Sequence, residues 1–229
     1  MNSAIILAGG DGIRMEENTP KQFIEINNKM ILEYSVEEFI NNKNIDEVVI
    51  VCHENWHTVI ESKFNQEIRV VKGGETRSLS SYYGLQRCNS KCKKVLIHDA
   101  ARPLVNQKII DDNIRNLNKH DAVIPVISNN DSLINSQTME YIDRSLIKNI
   151  QTPQGFKYHT ILTAYLDWRT QLQTPYITPK VFKNSFKDDF SLLLNYSTNL
   201  NYHLYNGDQS NFKITNKEDI DKVKFLLKC

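Results

Sequence analysis

AIILAGG, residues 4–10, is a continuous apolar run that stops at two glycines. A run that is apolar at successive positions predicts a β-strand buried on both faces, and the glycines predict a tight turn at its carboxyl end. Further apolar runs follow, and the segments between them carry apolar residues at helical spacing. The later runs are EVVIVC (47–52), IRVVKGG (68–74), KVLIHD (94–99) and AVIPVI (122–127).

The alternation of these runs with amphipathic segments predicts an α/β fold. Helical spacing is clearest in ILEYSVEEFI (31–40) and KIIDDNIRNLNKH (108–120). Strands that are apolar on both faces, separated by such helices, indicate a mainly parallel sheet that helices cover on both sides. Near the end of the chain, TNKE (215–218) is a capping box from Thr215 to Glu218 that predicts the start of a last helix.

A polar, turn-rich segment over residues 128–145 interrupts this rhythm. Because the segment lacks the spacing of a long helix, it predicts an excursion from the sheet. The chain shows neither an internal repeat nor a low-complexity linker. We therefore expect a single domain over residues 1–229 with a protruding arm at residues 128–150.

The composition argues against two classes of large partner. Charged residues make up 24% of the 229 residues and the formal net charge is +1, so neither a nucleic acid nor a membrane is indicated. No apolar run approaches the roughly 20 residues that span a bilayer, and the first residues lack the basic region of a signal peptide. The four cysteines include CNSKC (88–92), whose spacing is not that of a C-x-x-C pair. We interpret them as free thiols in a reducing cytosol and expect a cytoplasmic protein.

The glycines after the first strand open a loop with the character of a phosphate site. Gly10 and Gly12 begin like the Rossmann fingerprint G-x-G-x-x-G, but Met15 stands in place of its third glycine. The phosphate-binding pattern G-x-x-x-x-G-K-S/T also fails, because the residue before Lys21 is a proline. What remains is a turn whose N–H groups can approach an anion, followed by the cations Arg14 and Lys21. A surface loop with solvated charges is the alternative.

HENWH (53–57) matches the zinc-protease pattern H-E-x-x-H. That function needs a helix deep in a cleft and a third metal ligand downstream. Here the motif directly follows the strand EVVIVC, and no third-ligand motif is recognisable. We therefore interpret HENWH as the partly exposed start of a helix.

Three further segments place polar residues where ligand sites are common. In KGGETRSLSSYYGL (72–85), Arg77 and Ser80 fall in the first turn of a helix, where N–H groups favour anions. Asp99 ends a buried strand, and carboxylates at the carboxyl ends of parallel strands line the usual ligand crevice and suit a hard cation such as Mg²⁺. GDQSNFKIT (207–215) taken by itself is an ordinary loop and strand. A capped helix without a ligand is the plain alternative for the first of these segments.

Taken in order, these segments resemble one family nearly end to end. The most specific matches are HDAARP (98–103) and QTPQGF (151–156), and the resemblance is to the 2-C-methyl-D-erythritol 4-phosphate cytidylyltransferases. A sister family, the ribitol-5-phosphate cytidylyltransferases, shares most of the pattern. The matching stretches are LAGGDGIRM, PKQF, GGETRSLSSYYGL, LIHDAARPLV, DRSLIKNIQTPQGF, DDFSLL and NFKIT.

The resemblance implies a Rossmann-like nucleotidyltransferase fold with a mixed, mainly parallel sheet. It implies that the chain transfers CMP from CTP to 2-C-methyl-D-erythritol 4-phosphate with Mg²⁺ as cofactor, and that pyrophosphate is the second product. It also implies a homodimer in which each arm reaches into the neighbour's site. Because the acceptor phosphate is already an anionic nucleophile, no general base is expected, and positioning and cations would carry catalysis.

The resemblance assigns roles to individual residues as well. The catalytic cations would be Arg14, Lys21 and Lys213. The CTP site would comprise Ala8, Gly9, Gly10, Gly12, Gly74, Glu75, Arg77, Ser80 and Asp99. The pocket for the polyol phosphate would combine Arg102 and Lys187 with Ser132, Arg144 and Thr152, which the pattern groups with the partner's arm. Asp99 would hold Mg²⁺, together with Asn211 or Asp208.

Departures from the family pattern bear on the acceptor. Gly9 replaces a more usual alanine, as in the ribitol relatives, Ser132 replaces a threonine, and Lys187 adds a charge where many members have threonine. Against this, DAARP and DDFSLL resemble the methylerythritol branch, which we favour. The alternatives are a cytidylyltransferase that uses ribitol 5-phosphate or another polyol phosphate, and a nucleotide-binding protein without catalysis.

Overall fold

The computed structural model describes residues 1–10, 19–64, 67–172 and 186–228. Within these residues, a central eight-stranded sheet is accompanied by two short hairpins. The strands of the sheet are β1 (Asn2–Ala8), β4 (Glu47–Cys52), β5 (Ile68–Lys72), β6 (Lys94–Asp99), β7 (Ala122–Ser128), β10 (Lys148–Ile150), β11 (Gln154–Lys157) and β12 (Tyr202–Asn206). The hairpins pair β2 (Glu25–Ile26) with β3 (Lys29–Met30) and β8 (Leu133–Ile134) with β9 (Tyr141–Ile142).

The sheet is mainly parallel, as the apolar runs predict. Strands β5, β4, β1 and β6 lie side by side in parallel, and β11 enters antiparallel between β6 and β7. Strand β10 pairs antiparallel with the far end of β7, on the same side as β11, and β12 runs parallel along the other side of β7. The chain proceeds from β1 to β4 and β5, and then returns to the opposite side of β1 to form β6. The carboxyl ends of β1 and β6 therefore form a topological switch point, where α/β sheets bind ligands.

Helices cover both faces of the sheet. They are α1 (Ile31–Ile40), α2 (His57–Phe64), α3 (Arg77–Arg87), α4 (Gln107–Asn116), α5 (Tyr158–Leu172), α6 (Asp189–Tyr196) and α7 (Lys217–Leu226). Alternate residues of β1 point to opposite sides: Ala4 and Ile6 pack with α1, α2 and α4, whereas Ile5 packs with α3, α5 and α6. Both isoleucines are fully buried, and each such side chain contributes about 1.5–3 kcal/mol to folding.

Two predicted helix boundaries are wrong. Helix α4 ends at Asn116 with Leu117 as its C-cap, so residues 118–120 lie beyond it. The capping box of the last helix starts at Asn216 instead of Thr215. The Asn216 side chain accepts a hydrogen bond from the Asp219 N–H at 2.9 Å, and the Asp219 carboxylate accepts from the Asn216 N–H at 3.1 Å. Asparagine caps helices as well as serine or threonine does, so the box moves one residue along the chain.

The segment between β7 and β10 projects from the sheet. Each of residues 134–150 is exposed, including large apolar side chains: Met139, Tyr141 and Leu146 are 69%, 81% and 78% exposed. The β8–β9 hairpin and a 3-10 turn at Arg144–Leu146 are the regular structure of this segment, in agreement with the expectation that it holds no long helix. In the described part of the chain, no helix has the length and apolar character needed to cross a membrane.

Candidate active site

Two glycine turns meet at the switch point. The first, Gly9–Gly10, is exposed directly after β1, and the second, Gly73–Gly74, follows β5. Ser80, which is buried in the first turns of α3, accepts a hydrogen bond from the Gly74 N–H at 3.1 Å. A Cβ on Gly9 would lie 3.5 Å from the Ser80 Oγ, so this hydroxyl lies between the two turns. The structure thus brings together four of the residues predicted around CTP.

The conformations of both turns are fixed by close contacts. A Cβ on Gly74 would lie 2.4 Å from the Cβ of Leu79, so only glycine lets this turn approach α3 so closely. The buried side chain of Gln22 donates hydrogen bonds to the carbonyls of Ala8, at 2.7 Å, and Gly10, at 2.8 Å. Glu75 is exposed beside Gly74. The carbonyls of the first turn therefore point at Gln22.

Asp99, at the end of β6, is the centre of a network of ion pairs. Its Oδ1 accepts hydrogen bonds from Arg77 Nε, at 3.2 Å, and Nη2, at 3.1 Å, and its Oδ2 accepts from Lys213 Nζ at 2.8 Å. Burial acts to raise the pKa of Asp99, but the charges of Arg77 and Lys213 outweigh it and hold that pKa well below its usual range. Asp99 is therefore a carboxylate at any physiological pH.

A second carboxylate lies behind Arg77. Asp189 in α6 is fully buried, and its Oδ2 accepts a hydrogen bond from Arg77 Nη1 at 2.7 Å. Its Oδ1 accepts from the hydroxyl of Tyr165 in α5 at 2.6 Å. The Arg77 guanidinium thus lies between two carboxylates, each engaging a different part of its fork.

Two more cations are joined to the segment that precedes α7. Lys21 lies in a 3-10 turn after Pro20, and its Nζ donates to the backbone carbonyl of Ile214 at 2.7 Å. Arg102 Nη1 donates to the carbonyl of Asn211 at 2.8 Å. Lys213, which binds Asp99, lies between these two acceptors in sequence, so Lys21 and Arg102 contact the segment that carries it. The charge of Arg102 also helps to lower the pKa of Asp99.

A buried polar chain supports Asp99 from below. The Asp99 N–H donates to Thr152 Oγ1 at 3.0 Å, and Thr152 Oγ1 lies 3.1 Å from His98 Nδ1. His98 Nε2 lies 3.1 Å from the carbonyl of Arg102, which can only accept, so Nε2 carries the proton and Nδ1 accepts from the threonine hydroxyl. This assignment requires a neutral ring, and burial lowers the pKa of His98 to about 4.

Thr152 and Asn211 are both buried inside the protein. Thr152, expected with the arm, lies under Asp99 instead, because its hydroxyl is needed there as a hydrogen-bond partner. Asn211 donates from Nδ2 to the carbonyl of Thr152 at 2.8 Å, and its Oδ1 is buried without a hydrogen-bond partner among the described residues. Asp208 accepts hydrogen bonds from Ser210 and Asn106.

The remaining predicted residues lie at the surface or outside the described ranges. Ser132 and Arg144 are exposed in the arm, where Arg144 donates to the carbonyl of Asn130. Lys187 is exposed just before α6. Arg14 and Gly12 fall in 11–18, which lies outside the described residues.

Sequence reasoning missed several buried polar residues around this site. Asp189, Gln22 and Tyr165 had no predicted role, although Asp189 lies within the stretch DDFSLL that carries the resemblance. Gln154 was also missed; its amide donates to Asp188 at 2.9 Å and accepts from the Phe190 N–H at 3.0 Å, which positions the start of α6. The signal in the sequence that could have indicated them is a glutamine, tyrosine or aspartate flanked by apolar residues. Such a side chain is buried only when it is hydrogen-bonded, so it indicates a buried polar contact.

HENWH forms the junction between β4 and α2, as interpreted from the sequence. His53 caps a 3-10 turn at Glu54–Trp56, and α2 begins at His57. Glu54 is paired with Lys72 at 2.7 Å at the surface. No cluster of three or more histidine, cysteine, aspartate or glutamate side chains that could hold a metal ion occurs within residues 1–10, 19–64, 67–172 and 186–228. Within those residues, the motif has no zinc site.

A family model and individual relatives point to the same family of proteins. The family model for 2-C-methyl-D-erythritol 4-phosphate cytidylyltransferase matches residues 2–229. A protein of that name from Clostridium botulinum (strain Okra / Type B1) is 37% identical, with 96% of this chain and 94% of the relative covered. Another, from Clostridium acetobutylicum, is 36% identical, with 100% and 98% covered.

A solved structure shares the fold as well. The crystal structure of 4-diphosphocytidyl-2C-methyl-D-erythritol synthase from Anaerococcus prevotii DSM 20548 superposes with a TM-score of 0.81. The sequences are 29% identical, and the match covers 100% of this chain and 96% of that one. The predicted Rossmann-like fold, with its mixed and mainly parallel sheet, is confirmed.

Proposed function

The chain belongs to the 2-C-methyl-D-erythritol 4-phosphate cytidylyltransferase family, and we propose that it transfers CMP from CTP to 2-C-methyl-D-erythritol 4-phosphate. The family consists of nucleotidyltransferases, so the predicted enzyme class is confirmed, and the relatives do not favour the ribitol alternative. The observation that carries the proposal is a group of three cations at the switch point: Lys213 binds Asp99, and Lys21 and Arg102 bind the carbonyls of Ile214 and Asn211 on either side of Lys213. Four charged groups at the end of a sheet form a site for anionic substrates.

The proposed reaction fits a site built from cations. An oxygen of the acceptor phosphate forms a bond to the α-phosphorus of CTP, while the bond from that phosphorus to the oxygen bridging to the β-phosphate breaks. Pyrophosphate leaves with the bonding electrons. Both reactants are anions, so the barrier lies in bringing them together and in stabilising charge on the leaving group. We assign this work to Lys21, Lys213 and Arg14, and the cytosine and ribose to the two glycine turns with Ser80.

The residues present fit a magnesium ion in part. Asp99 is an ionised oxygen donor, and the buried amide oxygen of Asn211 has no hydrogen-bond partner among the described residues. Mg²⁺ is commonly held by one or two carboxylates plus substrate phosphates, so a full protein cage is not needed. We propose that Asp99, together with Asn211, holds Mg²⁺ when CTP is bound. When bound there, Mg²⁺ would neutralise charge on the phosphates.

The acceptor pocket and the arm belong to the same proposal. Arg102 contacts the arm's base, since its Nη2 lies 3.5 Å from the carbonyl of Ile150. The exposed apolar side chains of the arm, with Tyr141 81% exposed, favour burial against another surface. We propose that the arm docks on a second copy and brings Ser132 and Arg144 to that copy's polyol phosphate. A guanidinium suits bidentate binding of phosphate.

We also propose that the enzyme acts in the cytoplasm. Its buried cysteines Cys52, Cys88 and Cys92 are free thiols. Free thiols persist in reducing compartments, which supports this location.

A substrate panel tests the reaction. Pyrophosphate release is measured with CTP and either 2-C-methyl-D-erythritol 4-phosphate or ribitol 5-phosphate, with and without Mg²⁺. We expect turnover with the methylerythritol substrate that depends on Mg²⁺. Turnover with ribitol 5-phosphate in its place would move the acceptor to the sister family, and CTP binding without turnover would leave a binding protein.

Subunit mixing tests the arm. Lys21→Ala removes a cation from one chain's site, and Arg144→Ala removes a group that the arm would deliver to the other chain. Under the proposal, a mixed dimer contains one site with both residues intact, so two inactive variants should regain about a quarter of wild-type activity after exchange. If exchange is demonstrated and activity does not return, both residues serve the site of their own chain.

A further inference from the structure

Arg77 and Lys213 both bind Asp99, but the two cations are held very differently. Arg77 uses Nε and Nη2 for Asp99 Oδ1 and Nη1 for Asp189 Oδ2, so its planar fork is engaged on two sides. The Lys213 ammonium binds Asp99 Oδ2 from a side chain that is 38% exposed. The Lys213 ammonium, on a flexible side chain, can move to another anion. The Arg77 guanidinium is paired with two carboxylates and cannot move without breaking both ion pairs.

The ion pair with Asp189 constrains Arg77 more strongly than the pair with Asp99, because Asp189 has no access to water. Its side chain is 0% exposed, and its other oxygen already accepts the Tyr165 hydroxyl at 2.6 Å. If Arg77 turned toward a bound triphosphate, a buried carboxylate would lose its counter-ion, which is strongly unfavourable. Asp189 therefore ties Arg77 to the protein interior.

We propose that Asp189 is a positioning residue, acting through Arg77, that keeps this guanidinium on Asp99 when substrates arrive. On this assignment, Arg77 is a permanent support of Asp99 and not a ligand of the triphosphate, and Lys213 is the cation that exchanges from Asp99 to the phosphates. The inference rests on the proposed function and revises the role that the family resemblance gives to Arg77. Asp99 keeps its orientation and its charge after Lys213 leaves, because Arg77 remains in place.

Asp189→Asn is the central variant, because asparagine keeps the shape and can still accept the Tyr165 hydroxyl. It releases Arg77 and makes the site more positive. We expect kcat to fall by about 10- to 100-fold, because Asp99 loses its fixed support. We expect CTP binding without metal, measured by calorimetry, to tighten at least about threefold, because the freed guanidinium reaches the triphosphate. A purely structural role would lower stability and leave CTP affinity unchanged or weaker.

Two further variants separate positioning from folding. Arg77→Lys keeps one charge near the buried Asp189 but cannot span both carboxylates, so kcat should fall by about tenfold with the urea midpoint largely kept. Tyr165→Phe is the matched control, because it removes the other hydrogen bond of Asp189 and leaves Arg77 paired. It should reduce stability while kcat stays within about threefold of wild type.

Asp189 and Arg77 should also be coupled in a double-mutant cycle. Because Asp189 acts through Arg77, Asp189→Asn should change kcat by less than about threefold in an Arg77→Gln background. The inference would be overturned by any of three results. The losses of kcat from Asp189→Asn and Arg77→Gln could be additive, Arg77→Lys could keep the wild-type kcat, or Asp189→Asn could leave the CTP affinity unchanged. Absence of turnover in the wild type would instead defeat the proposed function, and the CTP titrations would then still decide the role of Asp189.

Discussion

Thr152→Val tests whether a single hydroxyl supports the centre of the site. Thr152 is buried, and its Oγ1 accepts the Asp99 N–H at 3.0 Å while donating to His98 Nδ1. The β6–β11 ladder ends at the pair Ile97 and Gln154, so the hydroxyl takes the place of the next ladder carbonyl. Valine has nearly the same shape as threonine but offers neither acceptor nor donor.

The structure gives the size of the effect. Thr152→Val leaves the Asp99 N–H and the His98 Nδ1 without partners, and each buried group of this kind costs about 1–3 kcal/mol. We therefore expect the free energy of unfolding to fall by about 2–6 kcal/mol. Thr152→Ser keeps the hydroxyl and loses a methyl group, which costs about 1 kcal/mol. Serine should thus be tolerated better than valine at this position, by about 2 kcal/mol.

Urea-induced unfolding of the two variants and the wild type measures this difference directly. The ¹⁵N chemical shift of His98 Nδ1 provides a second measurement, because this nitrogen loses its hydrogen-bond donor in Thr152→Val and keeps it in Thr152→Ser. Equal stability of the two variants, or a more stable valine variant, would refute the reasoning. Such a result would mean that apolar contact, and not the hydroxyl, holds Asp99 in place.

Three further predictions address catalysis, pH and packing. Lys21→Ala should lower kcat by about 10²- to 10³-fold with a change in CTP affinity below about tenfold, measured by pyrophosphate release and calorimetry. Burial lowers the pKa of His98 from 6.5 to about 4, so the unfolded chain binds the proton first as the pH falls. Stability should then drop by up to about 3 kcal/mol between pH 6.5 and 4, and urea titrations across this range should show a flatter profile for His98→Gln. Gly84→Ala would place a Cβ 2.6 Å from Ile5 Cγ2, so thermal unfolding should reveal a loss of about 1–3 kcal/mol despite the better helix propensity of alanine.

The fold was predictable where local pattern and tertiary burial agree. Strands β1, β4, β5, β6 and β7 are continuous apolar runs because both of their faces are covered, and the sequence marks each one. Strands β10 and β11 were not predicted, because they are three and four residues long and β10 is wholly exposed. Helix α5 was not predicted either. Several of its buried positions hold Tyr158, Tyr165 and Trp168 in place of aliphatic residues.

Some residues of the site could likewise be predicted from local sequence, and others could not. Asp99 could be located from the sequence alone, because a carboxylate at the end of an apolar run marks the crevice edge. The pairing of Arg77 with Asp189 could not, because 112 residues separate them and no spacing rule connects two helices on the same face of a sheet. The position of Thr152 could not be predicted either. Thr152 lies in the break between β10 and β11, which both run antiparallel to β7, and this break decides which backbone group its hydroxyl contacts.

The charges around Asp99 explain how this carboxylate can bind Lys213 in the free protein and be available for Mg²⁺ once CTP is bound in the proposed reaction. Among the described residues, the network contains two carboxylates, Asp99 and Asp189, and three cations, Arg77, Arg102 and Lys213, which leaves an excess of one positive charge. A bare divalent cation would meet repulsion in such a site, whereas a triphosphate would be attracted. We therefore expect the phosphates of CTP to draw Lys213 away from Asp99 Oδ2, which would then be available to hold Mg²⁺. Arg77, retained by Asp189, then keeps Asp99 ionised while its second oxygen changes partner.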